Sequence, residues 1–179
     1  MTPGTIADYA RAIGITSTRI YVAGTQYVGT TTTTGNFALT SYLLDGLLDT
    51  GFGTAGVVSL DFETLFPGAT RNDLVQALSI DSNSRILVSG TSSDTAGTRI
   101  ASARYSSVGV IDTSYGTSGG SLVQVTKPVS GITTSINVAS TYALLGLGSY
   151  FFASTAATTP LGSIGITKMT SSGDLNTGF

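Results

Sequence analysis

Two acidic residues, Asp61 and Glu63, stand two positions apart, and Glu63 is the only glutamate in the chain. Spaced this way on a strand they would share one face. A carboxylate pair on one face is the minimum a glycoside hydrolase needs, one group as acid and the other as base or nucleophile. A charged gatekeeper closing a strand is the plainer reading of the same residues, and the one favoured here. Asp73, Asp81 and Asp94 lack the spacing of an EF-hand or β-roll calcium loop, so a calcium site would have to be assembled across loops. There is no His and no Cys, which excludes imidazole or thiol catalysis, disulfides and Cys/His zinc centres. No G-x-x-x-x-G-K-[ST] phosphate loop occurs. No cofactor is expected, and the chain reads as not an enzyme.

A third acidic position argues for structure over chemistry because it recurs. Asp49, Asp112 and Asn176 each open the same short run: Asp49-Thr50-Gly51-Phe52-Gly53, Asp112-Thr113-Ser114-Tyr115-Gly116 and Asn176-Thr177-Gly178-Phe179. An Asx side chain that returns at a fixed spacing is explained by a recurring turn, in which it accepts from nearby backbone N–H groups. The aromatics Phe52, Tyr115 and Phe179 then read as plugs between repeats, and Gly53 and Gly116 as backbone punctuation.

Other blocks keep the same order and spacing. Arg19–Thr25 matches Arg85–Thr91 at an offset of 66, and Phe37–Tyr42, Ile100–Tyr105 and Ile164–Met169 follow one another at 63 and 64. Repeats of this length mean an array of supersecondary units. Each unit reads as about four short strands, bounded by Gly and Ser/Thr clusters and by turns at Asp45-Gly46, Val108-Gly109 and Ser172-Gly173. Pro3, Pro67, Pro128 and Pro160 are expected between strands, and helix is expected to be minor or absent. The fold class is therefore all-β: a propeller-like array of three repeats of about four antiparallel strands each, with repeats at about 10–62, 74–125 and 136–179, the last incomplete.

The run Arg85 to Thr117 resembles the delta-60 repeat, a β-propeller-like repeat. Its hallmark Asp-Gly-x-Leu-Asp-x-x-Phe-Gly-x-x-Gly is similar to Asp45–Gly56 here. In the third copy Asn176 stands where the first two have Asp. The resemblance implies a propeller-like fold.

Propellers close with four to eight blades, so three units leave two apolar faces open. Thr5, Ile6, Ala7, Asp8 and Tyr9 precede the first unit and are expected to supply, in a neighbouring copy, the strand that the third unit lacks. Two chains would then make a six-bladed, two-fold ring. A partner protein supplying the missing blades, a chain that is a fragment, and a β-sandwich remain as alternatives.

Composition narrows the partners. Charged residues are 10% of the chain, while 30 Thr, 23 Ser and 23 Gly dominate it. Eight scattered Lys+Arg make no phosphate-tracking stripe, so no nucleic acid is expected. The longest apolar run, Tyr142–Ala153, is too short for a membrane span, and Met1–Gly4 lacks the features of a signal peptide. Mean hydropathy of +0.30 in a weakly charged chain points to burial in an assembly.

Two functions of different class follow. One is a non-enzymatic structural or interaction module, such as a virion-surface, capsid-associated or extracellular surface protein. The other is a carbohydrate-binding, lectin-like propeller, using Tyr27, Tyr105, Tyr115, Tyr142 and Tyr150 to stack glycans and the Thr30–Thr34 loop as a contact. Arg19 and Arg85 read as packing stems, and Arg99 and Arg104 as a charged face.

Overall fold

The computed structural model describes the backbone at residues 8–29, 34–129, 132–136, 138–146, 149–156 and 164–178, and side chains at 8–29, 34–124 and 166–178. The described residues form an all-β fold with one single-turn helix. Sheet 1 is a meander of β1 (Tyr9–Ile15), β2 (Arg19–Tyr27), β3 (Gly35–Leu43) and β4 (Val57–Leu60). The helix α1 (Phe62–Leu65) leads on to sheet 2, with β5 (Asn72–Ile80), β6 (Ile86–Asp94), β7 (Gly97–Tyr105) and β8 (Gly120–Val123) in the same order. A two-stranded ribbon of β9 (Val125–Val129) and β10 (Ile132–Ile136) follows. Sheet 3 has three strands, β11 (Val138–Gly146), β12 (Ser149–Ala156) and β13 (Ile164–Thr170).

The repeat extends to its irregularities. β1 bulges between Ala10 and Ala12, β5 between Val75 and Ala77, and β11 between Val138 and Ser140. In β1 and β5 the bulge brings a carbonyl against the neighbouring strand, which leaves no room for a side chain there. A Cβ at Gly24 would lie 2.1 Å from the Tyr9 oxygen, and one at Gly90 would lie 1.9 Å from the Leu74 oxygen. These two glycines are fixed by the bulge. After the third strand the chain turns back in every unit through a lone bridge, Tyr42 to Leu48, Tyr105 to Ile111 and Met169 to Leu175.

The sheets pack in series. β5 lies against β1, β2 and β3, and β11 against β5, β6 and β7. The described core sits between sheets 1 and 2, where Tyr21, Phe37, Leu39, Phe52 and Phe62 meet Val75, Ile86, Val88 and Tyr105. Phe37 and Phe62 pack edge to face at 4.9 Å, a geometry that the ring quadrupoles favour.

Several expectations need correction. Pro128 lies inside β9, opposite Thr133. Both strands of a two-stranded ribbon are edges, so the missing N–H is tolerated there. That ribbon lies between the second and third repeats, and the third sheet opens at Val138. β4 ends at Leu60; Asp61 caps α1, accepting from the Glu63 amide at 2.8 Å. Asp61 and Glu63 are therefore not a pair on one strand face. Tyr9 opens β1 opposite Thr25, and Asp8 accepts from the Tyr27 amide at 3.1 Å. Both serve their own sheet, because the bulged β1 begins earlier than its apolar residues indicate; Thr5, Ile6 and Ala7 lie outside the described residues.

Candidate functional site

The turn after the third strand positions the recurring acid. Asp49 Oδ1 accepts from the Gly51 amide at 3.2 Å, Asp112 Oδ1 from Ser114 at 3.1 Å and Asn176 Oδ1 from Gly178 at 3.1 Å. The other carboxylate oxygen of each aspartate is taken by a cation. Arg19 Nε sits 2.6 Å from Asp49 Oδ2, and Arg104 Nε sits 2.8 Å from Asp112 Oδ2. The Arg19 hydrogen bond holds the Asp49 carboxyl below its usual range, and the Ser114 hydroxyl followed by Arg104 does the same for Asp112. Arg85, the repeat counterpart of Arg19, pairs with Asp81 at 2.6 Å. Arg19 and Arg85 are thus ion-pair members as well as packing stems. Arg104 is buried and not part of an exposed face, its guanidinium 4.8 Å over the Tyr115 ring.

These turns also join one sheet to the next. Phe52 is buried against Tyr21 at 5.8 Å, and a Cβ at Gly109 would come within 3.0 Å of its ring. Tyr115 is buried likewise, and a Cβ at Gly173 would come within 2.9 Å of that ring. The glycine turn of each following unit is therefore the seat of the preceding unit's aromatic. Polar atoms repeat the arrangement. Gly53 donates to Val108 O at 3.0 Å and Gly116 to Ser172 O at 2.6 Å. The Tyr21 hydroxyl donates to Ser107 O at 3.0 Å, and Arg104 donates to Ser171 O. Phe179, the third aromatic of the series, lies outside the described residues.

Toward the other edge of the first join, Thr25 Oγ1 accepts from the Val75 amide at 3.0 Å, and the Gly35 amide donates to Asn72 Oδ1 at 2.9 Å. Asp73 Oδ2 accepts from the Phe62 amide at 2.9 Å. Asp73 is wholly buried, and burial pushes its carboxyl up to about 6. Ser92, the Phe62 amide and Arg71 pull it back, while Asp61 adds to the rise. The Ser92 hydroxyl falls outside hydrogen-bonding geometry, so Ser92 Oγ and Asp73 Oδ1 are both unpaired. Asp8 and Asp73 occupy the same place before the bulge in β1 and β5. Extending the repeat comparison toward the N-terminus, at an offset of 65, would have found this pair in the sequence.

Each sheet has a leading face, turned toward the preceding sheet, and a trailing face, turned toward the next. A Cβ at Gly14 would meet Leu78 and Ile80, so Gly14 lies on the trailing face of sheet 1. Ile13 and Ile15 point the opposite way. Register adds Val22, Ile20 and Tyr42 to that leading face. The counterparts in sheet 2 are Leu78, Ile80, Val88, Ile86 and Tyr105, which pack on the core with sheet 1. Ile13 and Ile15 are 63% and 65% exposed, whereas their counterparts Leu78 and Ile80 are half-buried; Val22 and Ile20 are half-buried, whereas Val88 and Ile86 are at most 1% exposed. At the other end Ile166, on the trailing face of sheet 3, is 63% exposed, while Leu39 and Ser102 at the same repeat position are each 1%.

Among the described residues, charged side chains also meet at the β6–β7 hairpin. Asp94 binds Arg71 at 2.6 Å and Arg99 at 2.7 Å at the β6–β7 hairpin; burial pushes its carboxyl up, but the two guanidiniums and the Ala96 amide bring it below the usual range. Among the described residues no three His, Cys, Asp or Glu side chains gather where a metal could bind, and no helix is long and apolar enough to cross a membrane. A cleft between sheets 2 and 3 is lined by Phe66, Thr117, Ser121, Leu122 and Asp174, and one between sheets 1 and 2 by Gln26, Thr54, Val58, Ser59 and Val110. Tyr105 and Tyr115 are buried in the joins, so neither can stack a glycan. Tyr27 packs edge-on against Tyr9 at 6.1 Å. The side chains of Tyr142 and Tyr150 and most of the Thr30–Thr34 loop lie outside the described residues.

No protein-family model matches the chain, and no curated protein matches it. Among solved structures it is similar to an α-L-arabinofuranosidase (CtGH43) from Clostridium thermocellum ATCC 27405, with 10% identity over 93% of this chain and 70% of that one and a TM-score of 0.41. It is also similar to an endo-arabinase from Bacteroides thetaiotaomicron VPI-5482, with 12% identity, 92% of this chain covered and a TM-score of 0.47; the chain spans 58% of the length of that enzyme.

Proposed function

We propose that this chain is a non-enzymatic structural module, a propeller-like array of three repeats that assembles through the open leading face of its first sheet. The observation that carries the reading is the contrast within one chain. Of the five positions, Ile13 and Ile15 are more than 60% exposed and Ile20, Val22 and Tyr42 half-buried in sheet 1, whereas in sheet 2 Ile86, Val88 and Tyr105 are fully buried and Leu78 and Ile80 half-buried against the core. Burying such side chains contributes about 1.5–3 kcal/mol each, a strong drive toward association. The non-enzymatic part rests on the acids: Asp49, Asp81, Asp94 and Asp112 are each held by an arginine, and Asp73 is sealed in a join. A neutral surface rich in Thr, Ser and Gly suits a regular array, and a virion surface or capsid is the setting we propose.

The test uses the absence of cysteine. A thiol installed by Ile13→Cys should resist maleimide labelling in the native assembled protein and react freely in denaturant. Equal rates in both conditions would refute assembly through this face.

A further inference from the structure

We infer that the occupant of the open leading face is a second copy of this chain, seated head to tail, with the trailing face of its third sheet on the leading face of sheet 1. The inference rests on the assembly reading above and supplies its partner and polarity.

The polarity comes from the joins already present. At the turn end of both, the trailing side supplies donors and the leading side supplies carbonyl oxygens: Tyr21 and Gly53 donate to Ser107 O and Val108 O, and Arg104 and Gly116 donate to Ser171 O and Ser172 O. The repeat places Leu44 and Asp45 of sheet 1 where Ser107 and Val108 stand in sheet 2. Two leading faces set against each other would bring carbonyl to carbonyl and leave both unpaired. Only a trailing face carries the matching donors. The aromatic seat is equally ready. Gly46 makes the same turn as Gly109 and Gly173, with φ of +86° against +81° and +87°. Gly109 and Gly173 press on a ring, whereas nothing lies within 4 Å of a Cβ built at Gly46.

The second copy is favoured because this chain itself carries two residues of the other half of the join. Ile166 is exposed where Leu39 and Ser102 are covered by the following sheet, and Lys168 stands at the position of the donor Arg104. One copy offers the socket and the other the matching surface. Head-to-tail contacts close into a ring when the rotation allows, and two chains of three sheets give six, inside the range of four to eight blades.

Subunit mixing tests this. A leading-blocked variant carries Ile13→Asp and Ile15→Asp, and a trailing-blocked variant carries Ile166→Asp. All three positions are exposed, so both variants should keep the native far-UV circular dichroism. By light scattering across a concentration series, the unaltered chain should weigh twice one chain and each variant alone one chain. An equimolar mixture of the two should regain the twofold mass, because one intact join remains available to each pair. A trailing-blocked variant that stays paired by itself would overturn the head-to-tail arrangement. If its Ile13→Cys thiol were then still protected, the assembly reading would stand and only the partner geometry would fall. A monomeric unaltered chain with a freely reacting thiol would sink both.

Discussion

Replacing Asp73 by Asn should make the protein more stable at neutral pH and leave it unchanged in acid. Asp73 is wholly buried where α1 meets β5 and β6, with one oxygen bonded to the Phe62 amide and the other unpaired. Its carboxyl is raised from 3.8 to about 6, so the folded state binds the proton more tightly than the unfolded chain does. The sign follows directly. The stabilisation is complete below about pH 4, where both states are protonated, and is lost as the pH rises through 6. A shift of about two units is worth about 3 kcal/mol, a sizeable fraction of the 5–15 kcal/mol that holds a domain together. Asparagine keeps an acceptor for Phe62 and brings a donor toward Ser92 without a charge. Urea titrations followed by circular dichroism between pH 4 and 8 measure the effect. The difference between variant and parent should be near zero at pH 4 and grow to about 2–3 kcal/mol by pH 7.5. Titrations of Asp49, Asp94 and Asp112 are common to both proteins and cancel in that difference. A gap that does not change with pH, or a parent that gains on the variant as the pH rises, would refute the reasoning.

The parent should also weaken in acid, because Asp49, Asp94 and Asp112 have carboxyls below their usual range, and the stability they contribute is lost as the pH falls through those lowered values; the urea midpoint should drop below pH 4, and less so in Asp94→Asn. Gly90→Ala places a Cβ 1.9 Å from the Leu74 oxygen and must break the β5 bulge, so the urea midpoint should fall by the equivalent of at least ~2 kcal/mol. Phe52→Ala empties the ring seat on Gly109 and should cost about 3–5 kcal/mol in the same assay. Arg104→Ala leaves Asp112 without its cation and should cost about 3 kcal/mol, with Arg104→Lys recovering only part because it cannot fork to Asp112 and Ser171 together.

The repeat was legible because it is written in residue types that only one backbone accepts. The Asx turn and the aromatic three residues later recur at 63 and 64, the glycine beyond it at 63, and the strand runs between them carry their own period. Composition likewise removed His and Cys chemistry without reference to any fold. What the sequence could not determine depends on contacts between units. Tyr105 looks like any surface tyrosine until the join buries it, and Arg104 looks like a surface charge until Asp112 and the Tyr115 ring enclose it. Asp61 and Glu63 read as a strand-face pair, but a capping bond ends the strand first. Pro128 reads as a breaker, but a ribbon with two edges admits it. Asp73 is the sharpest case. Its charge is ordinary in the sequence, and only the packing of α1 and β6 around it removes the water that would have kept its pKa low. The open faces belong to the same class, since Ile20 and Ile86 are the same residue type at the same repeat position, yet Ile86 is fully buried and Ile20 only half-buried.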